Sequence, residues 1–204
     1  MEGRAHGSYS YPDLLVATER SHFNSNWDET QEALHNENAF MLTVRQYVDF
    51  LNLLKSGSVY NGKGNKIDSG KIVSIIDEIL TVRDPWRAEW LDAKFEKSGM
   101  IRKSFSVVYH NIKSDGTLVQ VTEPLEDCLM TDRTPRIDLE DWLKRATKQG
   151  LPSRDVKKGN LYYWYPKADC VAGFVANSVG AVFYCYGDPL YSVAVLGVRQ
   201  ARVF

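Results

Sequence analysis

Histidines are the side chains of this chain best suited to catalysis or metal binding near neutral pH. The four of them, His6, His22, His35 and His110, are widely spaced and show no grouping with one another or with the cysteines. A metal centre or an acid–base site needs several such side chains brought together. We therefore expect no histidine-based catalytic or metal site.

The cysteines, Cys128, Cys170 and Cys185, follow no metal-ligand spacing such as C-x2-C. Their odd number and wide spacing argue against a disulfide scaffold. A Cys170–Cys185 disulfide is one alternative, and free buried thiols are the favoured one because cysteine is among the most often buried residue types.

Other motifs that could support an enzyme are weak or absent. Glu123, Glu126 and Asp127 form an acidic turn, which is more simply a solvated loop than a carboxylate site. The segment GKGNK at 62–66 lacks the G-x-x-x-x-G-K-[ST] pattern of a phosphate loop, and no G-x-S-x-G nucleophile motif occurs. We therefore expect a protein that is not an enzyme and that has no cofactor or metal.

Composition limits the classes of partner. The chain has 204 residues, 44% of them hydrophobic and 25% charged, with a net charge of -1. These values are typical of a globular domain and provide no basic surface for nucleic acid. No apolar run approaches the roughly 20 residues of a membrane helix, and the first residues lack the apolar segment of a secretory signal. We expect one domain over 1–204, without nucleic-acid binding or membrane insertion, and its localisation stays open.

The C-terminal stretch has an unusual composition. Residues 168–198 contain no Lys, Glu, Gln, Met, Trp or Arg, although the rest of the chain uses all six types. A buried sheet would explain the low charge, but small and polar residues interrupt the apolar runs, at Asn177, Ser178, Gly180, Gly187, Asp188, Pro189 and Ser192. Six of the eleven tyrosines lie between 162 and 191. Tyrosine mixed with Ser, Gly, Asn and Asp is typical of antibody-like binding loops.

Secondary-structure signals predict the elements that would carry this stretch. A strand is predicted at Leu14–Thr18, a helix at Asp28–Glu37, a helix after the capping box of Thr43 and Gln46, and a helix between Asp68 and Asp84. A hairpin is predicted from Lys103 to Val121 around a Ser114-Asp115-Gly116 turn, then a short helix capped by Asp138 and a strand at Leu161–Tyr165. Trp86, Trp90 and Phe95 are assigned to the edge of the core. The order predicts an α+β domain with a small mixed or antiparallel sheet.

Several motifs resemble one known family. They are LYYWYP at 161–166, Val171, Ala172 and Phe174, Ala176 with Ser178, Cys185, Pro189, and LGVR at 196–199. Together with the upstream segments MLTVRQYVDFL and EPLEDCLMTDRTPRIDLEDWL, they resemble the variable proteins of diversity-generating retroelements, in particular the archaeal and archaeal-virus branch. The resemblance extends from about Trp27 to the end of the chain.

The resemblance implies a genetic cause for the missing residue types. In that family a reverse transcriptase copies a template RNA with errors at adenines, and the copy replaces the 3′ end of the gene. Randomising the first two letters of an asparagine codon cannot produce Lys, Glu, Gln, Met or Trp. This accounts for five of the six absences, whereas Arg remains reachable.

The resemblance also implies a fold and a division of residues. The fold is C-type-lectin-like, as in formylglycine-generating enzymes: two helices, small mixed or antiparallel sheets, and a loop-rich variable region at 160–204. A constant frame would comprise Trp164, Pro166, Phe174, Ala181, Cys185, Leu196, Gly197, Val198 and Arg199. A ligand-binding display set would comprise Gly173, Val175, Asn177, Val179, Gly180, Val182, Tyr184, Tyr186, Gly187, Asp188, Leu190, Tyr191, Ser192 and Val193.

The expected function is display of variable residues to a ligand, with a protein or another surface molecule as the expected partner. Val175, Val182 and Val193 could instead belong to the core, whereas Tyr184, Tyr186 and Tyr191 should be exposed and clustered. The calcium-sugar motifs EPN, QPD and WND are absent, so calcium-dependent sugar binding is not expected. Two alternatives stay open: an oxidase resembling formylglycine-generating enzymes, although its close cysteine pair is not reproduced, and a structural subunit of a virion or cell surface.

Overall fold

Four helices occur in residues 1–98, 104–113, 115–131 and 136–204, the ranges that a computed structural model describes. They are α1 (Trp27–Asn36), α2 (Val44–Ser56), α3 (Ser69–Leu80) and α4 (Leu139–Arg145). Within these ranges, no helix is long and apolar enough to cross a membrane.

Side-chain caps explain where the helices begin. Asn26 and Thr43 each form a capping box with the residue three positions later, and Asp68 and Asp138 accept backbone hydrogen bonds at the starts of α3 and α4. Helix α2 ends at Gly57, whose φ of 68° lies in the left-handed region that glycine adopts without strain. The predicted capping box of Thr43 and Gln46 is thus confirmed.

Thirteen strands are present in the described ranges. In chain order they are β1 (Arg4–His6), β2 (Tyr9–Tyr11), β3 (Leu14–Val16), β4 (Phe40–Met41), β5 (Arg87–Ser98), β6 (Ser104–Ile112), β7 (Leu118–Pro124), β8 (Arg136–Ile137), β9 (Leu161–Trp164), β10 (Cys170–Asn177), β11 (Gly180–Gly187), β12 (Leu196–Val198) and β13 (Gln200–Val203).

The largest sheet has eight strands and mixed direction. Its order is β7-β6-β5-β10-β11-β9-β8, and β12 pairs in parallel with the beginning of β5. Strands β10 and β11 form a hairpin, and β11 runs parallel to β9. A three-stranded sheet, β3-β13-β4, brings the end of the chain beside its beginning, and β1 with β2 forms a separate hairpin.

The expected fold class is wrong. We expected two helices, small sheets and a loop-rich C-terminal region in a C-type-lectin-like fold; the structure is mostly β, with four helices and one large mixed sheet in the described ranges. The C-terminal region contributes five strands to the sheets rather than mainly loops. The twelve-residue β5 was missed because both of its faces are buried and its charged residues Arg87, Glu89 and Asp92 are buried among partners. A strand of this kind lacks the polar–apolar alternation that marks a half-exposed strand.

The other predicted elements are largely present. The predicted strand at Leu14 appears as β3, and the predicted hairpin corresponds to β6 and β7. Two of its predicted residues, Lys103 and Ser114, lie outside the described residues. Trp90 and Phe95 are fully buried on β5 and not at the edge of the core.

Candidate binding pocket

Side chains of the C-terminal strands alternate between two environments. On β10 and β11, Phe174 and Phe183 lie in the main hydrophobic core and are fully buried. Their neighbours in sequence, such as Val175 and Tyr184, lie on the opposite face of the sheet. Because successive side chains of a strand point to opposite faces, this alternation follows from extended backbone geometry. We call these the inner face and the outer face.

The outer face forms a pocket of about 560 Å³. Its fifteen lining residues, which define the aromatic pocket, come from β5 and the residue before it, β9, β10, β11, β12, the β10–β11 turn and the segment that follows β11: Trp86, Ala88, Trp90, Tyr162, Trp164, Val175, Asn177, Val179, Val182, Tyr184, Tyr186, Gly187, Asp188, Tyr191 and Leu196. Seven of the fifteen are aromatic. This volume and apolar character suit a small molecule or a side chain of a partner.

The tyrosines of the pocket are clustered as predicted. The ring centres of Tyr184 and Tyr186 are 5.9 Å apart, and Tyr186 meets Trp164 edge to face at 5.5 Å. Tyr186 and Tyr191 are 40% and 47% exposed, whereas Tyr184 is only partly exposed, so the prediction that all three are exposed is wrong for Tyr184. Burial raises the pKa of the Tyr184 phenol, whose hydroxyl oxygen lies against Gly173, so this hydroxyl stays protonated.

Nine of the fourteen display residues predicted from the sequence line this pocket: Val175, Asn177, Val179, Val182, Tyr184, Tyr186, Gly187, Asp188 and Tyr191. Leu190 and Ser192 are exposed but lie outside the lining. Val193 packs beside Trp90 in a second buried cluster, and Gly173 and Gly180 are buried. Val193 therefore matches the core alternative. Val175, which packs against the same cluster, and Val182, which is buried, share this core character and also line the pocket.

Two of the predicted display glycines make room for Tyr184. A methyl group added at Gly173 would lie 2.3 Å from the Tyr184 hydroxyl oxygen, and one at Gly187 would lie 2.8 Å from the same ring. Both distances are far shorter than a van der Waals contact between carbon atoms. Gly173 thus supports the position of Tyr184 instead of contacting a ligand itself.

Two turns shape the ends of the pocket. At one end, Asn177 accepts hydrogen bonds through its side chain from the amides of Val179 and Gly180, which closes the β10–β11 turn. At the other, Asp188 Oδ1 accepts from the Leu190 amide, and the Trp27 amide donates to the Pro189 carbonyl. The segment after β11 is thus attached to the start of α1.

Four aromatic residues of the pocket were missed from the sequence. Trp86 and Trp90 were assigned to the edge of the core, Trp164 was placed in the constant frame, and Tyr162 was given no role. Trp164 is 38% exposed, which does not match a purely structural residue. The even spacing of these residues was the signal that could have identified them. In an extended strand it places Trp86 on the same face as Trp90, and Tyr162 on the same face as Trp164.

A cluster of buried charges lies on the inner side of β5. Glu89 accepts hydrogen bonds from the Tyr47 hydroxyl at 2.6 Å, from Arg87 at 2.8 Å and from Arg199 at 3.2 Å. Burial raises the pKa of the Glu89 carboxyl, but the two guanidinium groups and the tyrosine outweigh it and lower that pKa to about 2. Glu89 therefore stays charged, and each charged side chain in the cluster has an oppositely charged partner, although Arg87 Nη1 has no hydrogen-bond partner among the described residues.

Helix α3 joins this buried charge cluster through Glu78. Its carboxylate accepts hydrogen bonds from Arg20, Arg87 and Arg199. Arg20 also donates to the carbonyls of Ala88 and Val195, next to the pocket residues Leu196 and Trp90. Arg199, predicted to be a frame residue, is 2% exposed and ties the end of the chain to α3 and β5.

The expectation that the histidines stay apart is wrong for one pair. The rings of His35 and His110 meet edge to face at 5.2 Å. Asp92 accepts a hydrogen bond from the His110 backbone amide at 2.6 Å and one from Gln31 at 2.7 Å. Burial lowers the pKa of His110, but the Asp92 carboxylate outweighs this and raises it. In the described ranges, no three His, Cys, Asp or Glu side chains are placed to hold a metal ion.

All three cysteines are free thiols. The favoured prediction of free buried thiols is confirmed for Cys128 and Cys185, whereas Cys170 is free but only half-buried, and the alternative of a Cys170–Cys185 disulfide is wrong. Burial raises the pKa of the Cys185 thiol well above its ordinary value. The Cys185 thiol faces the core and is therefore unreactive.

The pocket thus offers ring faces, phenol hydroxyl groups and a single carboxylate, which is chemistry for non-covalent binding. The rims of its opening carry exposed apolar side chains, Val179 at 62% and Leu190 at 72%. Comparisons of the chain with family models, with curated proteins and with solved structures return no match.

Proposed function

We propose that this protein is a non-enzymatic binding protein whose aromatic pocket is the ligand site and whose pocket residues are diversified by a retroelement. The observation that supports this most is the clustering of nine predicted display residues in one exposed pocket. The positions were assigned as variable because the chain resembles the variable proteins of diversity-generating retroelements.

The inner face supports the same division. Phe174, Ala181 and Cys185, assigned to the constant frame, are buried in the main core. Changes there would open cavities or introduce clashes, whereas changes at exposed outer-face residues such as Tyr186 and Tyr191 mainly alter what the pocket presents. Such separation allows a binding surface to vary while the fold persists.

The predicted chemistry of recognition follows from the residues of the pocket. Tyrosine and tryptophan provide large contact areas with few rotatable bonds, and such residues contribute most of the binding free energy at many protein interfaces. The expected partner is a protein or another surface molecule.

Sequencing of the DNA next to the gene tests this proposal. We expect a near-copy of the 3′ end that differs mainly at adenines, beside a reverse transcriptase gene. The differing codons should include outer-face positions such as Val182, Tyr184 and Tyr186. Codons of the inner-face residues Phe174 and Phe183 provide the matched control and should be identical in both copies. Absence of the repeat, or differences spread equally over both faces, would contradict the proposal.

A further inference from the structure

The aromatic pocket has an uneven charge. Of its fifteen lining residues, Asp188 alone has a side chain charged at neutral pH, and none is Lys, Arg or His. One oxygen of Asp188 accepts a hydrogen bond from the Leu190 amide. The other oxygen has no partner among the residues that the structure describes, so it is free to pair with a ligand. The ring faces add negative potential, because the quadrupole of an aromatic ring makes its face electron-rich.

Rings of this pocket already bind cations from the chain itself. The guanidinium carbon of Arg136 lies 4.4 Å from the centre of the Tyr162 ring, and Lys167 Nζ lies 5.2 Å from the centre of the Tyr186 ring. Both distances are within the range of a cation–π interaction. The rings of Tyr162 and Tyr186 are therefore accessible to cationic groups.

The surrounding charges do not cancel this preference. Lys167 and Arg136 lie outside the lining, and both are exposed, as Asp188 is, so water and salt screen all three charges. Lys167, Asp169 and Asp188 all act on the Cys170 thiol, so two carboxylates and one ammonium group lie near one another there and their net charge is negative. Among the lining residues themselves, the Asp188 carboxylate and the ring faces determine the sign of the potential.

We propose that the aromatic pocket binds a cationic side chain, a guanidinium or an alkylammonium group, of a protein partner, with ring faces around it and Asp188 as its counter-ion. This rests on the proposed function and specifies its ligand class. The apolar lining suits the methylene stem of such a side chain, while its charged end reaches the carboxylate. The exposed Val179, Leu190 and Tyr191 provide flanking surface that a protein partner would cover.

Titration of the full chain with small probes tests the inference. The cationic probes are N-acetyl-arginine methylamide and N-acetyl-lysine methylamide, and the neutral ones, of similar shape, are the citrulline and norleucine analogues. Binding is followed by the indole N–H signals in NMR spectra. Trp86 and Trp164 in the pocket should shift, whereas Trp142, whose indole donates to the Gly150 carbonyl in the core, is the internal control.

We expect both cationic probes to bind at least fivefold more tightly than their neutral analogues. The variant Asp188→Asn keeps the acceptor for the Leu190 amide but removes the charge, and it should weaken binding of the cationic probes about fivefold without affecting the neutral ones. Asp169→Asn is the matched control, because Asp169 lies outside the lining and has a φ of 60° that asparagine tolerates. That variant should bind the cationic probes within twofold of the original protein.

Two outcomes overturn the inference. One is equal or tighter binding of the neutral probes, or of N-acetyl-tyrosine methylamide or a disaccharide, which would identify an apolar or glycan ligand. The other is no shift of Trp86 or Trp164 with any cationic probe. Neither result affects the proposed function, which fails separately if the adenine-directed repeat is missing.

Discussion

The inner and outer faces of β10 and β11 are built from the same two strands but differ in what surrounds them. Phe183 on the inner face stacks on Trp142 at 4.7 Å and is fully buried. Tyr186, three residues later on the outer face, contacts other exposed rings and stays 40% exposed. Aromatic residues of one strand can thus have different roles: those on the inner face stabilise the fold, and those on the outer face are available for binding. The alternation of side chains along the strand separates the two groups.

The largest expected effect comes from the inner face. Phe183→Ala should lower the free energy of unfolding by about 4 kcal/mol, because it opens a cavity beside Trp142 and Tyr163. Urea unfolding followed by circular dichroism measures this. Tyr186→Ala is the matched outer-face change and should cost less than about 1 kcal/mol. Equal losses for the two variants would erase the distinction between the faces.

The buried charge cluster sharpens the comparison, because the inner face also depends on polar contacts. Glu89→Gln should lower the free energy of unfolding by about 3 kcal/mol, since Arg87 and Arg199 would keep Glu78 but lose the fully buried one of their two shared carboxylates. Glu19→Gln, which removes an exposed pair with Lys71, should change it by less than about 0.5 kcal/mol. The same unfolding measurement applies. A loss below 1 kcal/mol for Glu89→Gln would show that the cluster does not stabilise the fold.

Acid should weaken the protein through the same carboxylate. The pKa of Glu89 is about 2 in the folded protein against an ordinary value of 4.5. A lowered folded pKa gives stability that is present above the unfolded pKa and is lost as pH falls towards the folded one. Stability should therefore decrease between about pH 4.5 and pH 2, by a total on the order of 3 kcal/mol. In the Glu89→Gln variant, the part of the acid-induced loss of stability that Glu89 causes should be missing. If the variant loses as much stability as the original protein between about pH 4.5 and pH 2, other groups cause the loss.

A smaller effect is expected where the outer face needs a small residue. Gly173→Ala should displace the Tyr184 ring, costing about 2 kcal/mol of stability and weakening any ligand that contacts the ring. The double variant Gly173→Ala with Tyr184→Ala should recover part of that stability, because the clash is then gone. Calorimetry of the single and double variants measures this. If the stability losses of the two single variants simply add in the double variant, Gly173 has a role other than making room for the Tyr184 ring.

Much of the local structure could be predicted from the sequence, whereas the central strand could not. Caps at Thr43 and Asp138 and the hairpin around Gly116 depend on neighbouring residues, so a local pattern reveals them. Strand β5 depends on distant partners. From the sequence alone, Arg87 and Glu89 resemble surface residues, because Glu78 and Arg199, with which they pair in the fold, are not adjacent to them in the chain. This is why Trp86 and Trp90 were not recognised as walls of a pocket.

The candidate site was predicted in part for the same reason. Display residues on β11 follow from alternation within one segment, which the sequence contains. Val193 and Gly173 were assigned to display because their positions interleave with the frame, but packing beside Trp90 and beneath Tyr184 decides their roles. Such contacts join segments that are far apart in the chain, and no local pattern encodes them.

The claim that the inner face maintains the fold while the outer face is free to vary is tested most directly by a saturation scan of residues 160–204, with protease resistance as the measure of folding. We predict that most substitutions at Val175, Val182, Tyr186 and Tyr191 leave a resistant protein, whereas most at Phe174, Phe183 and Cys185 do not. Equal sensitivity on the two faces would contradict the account.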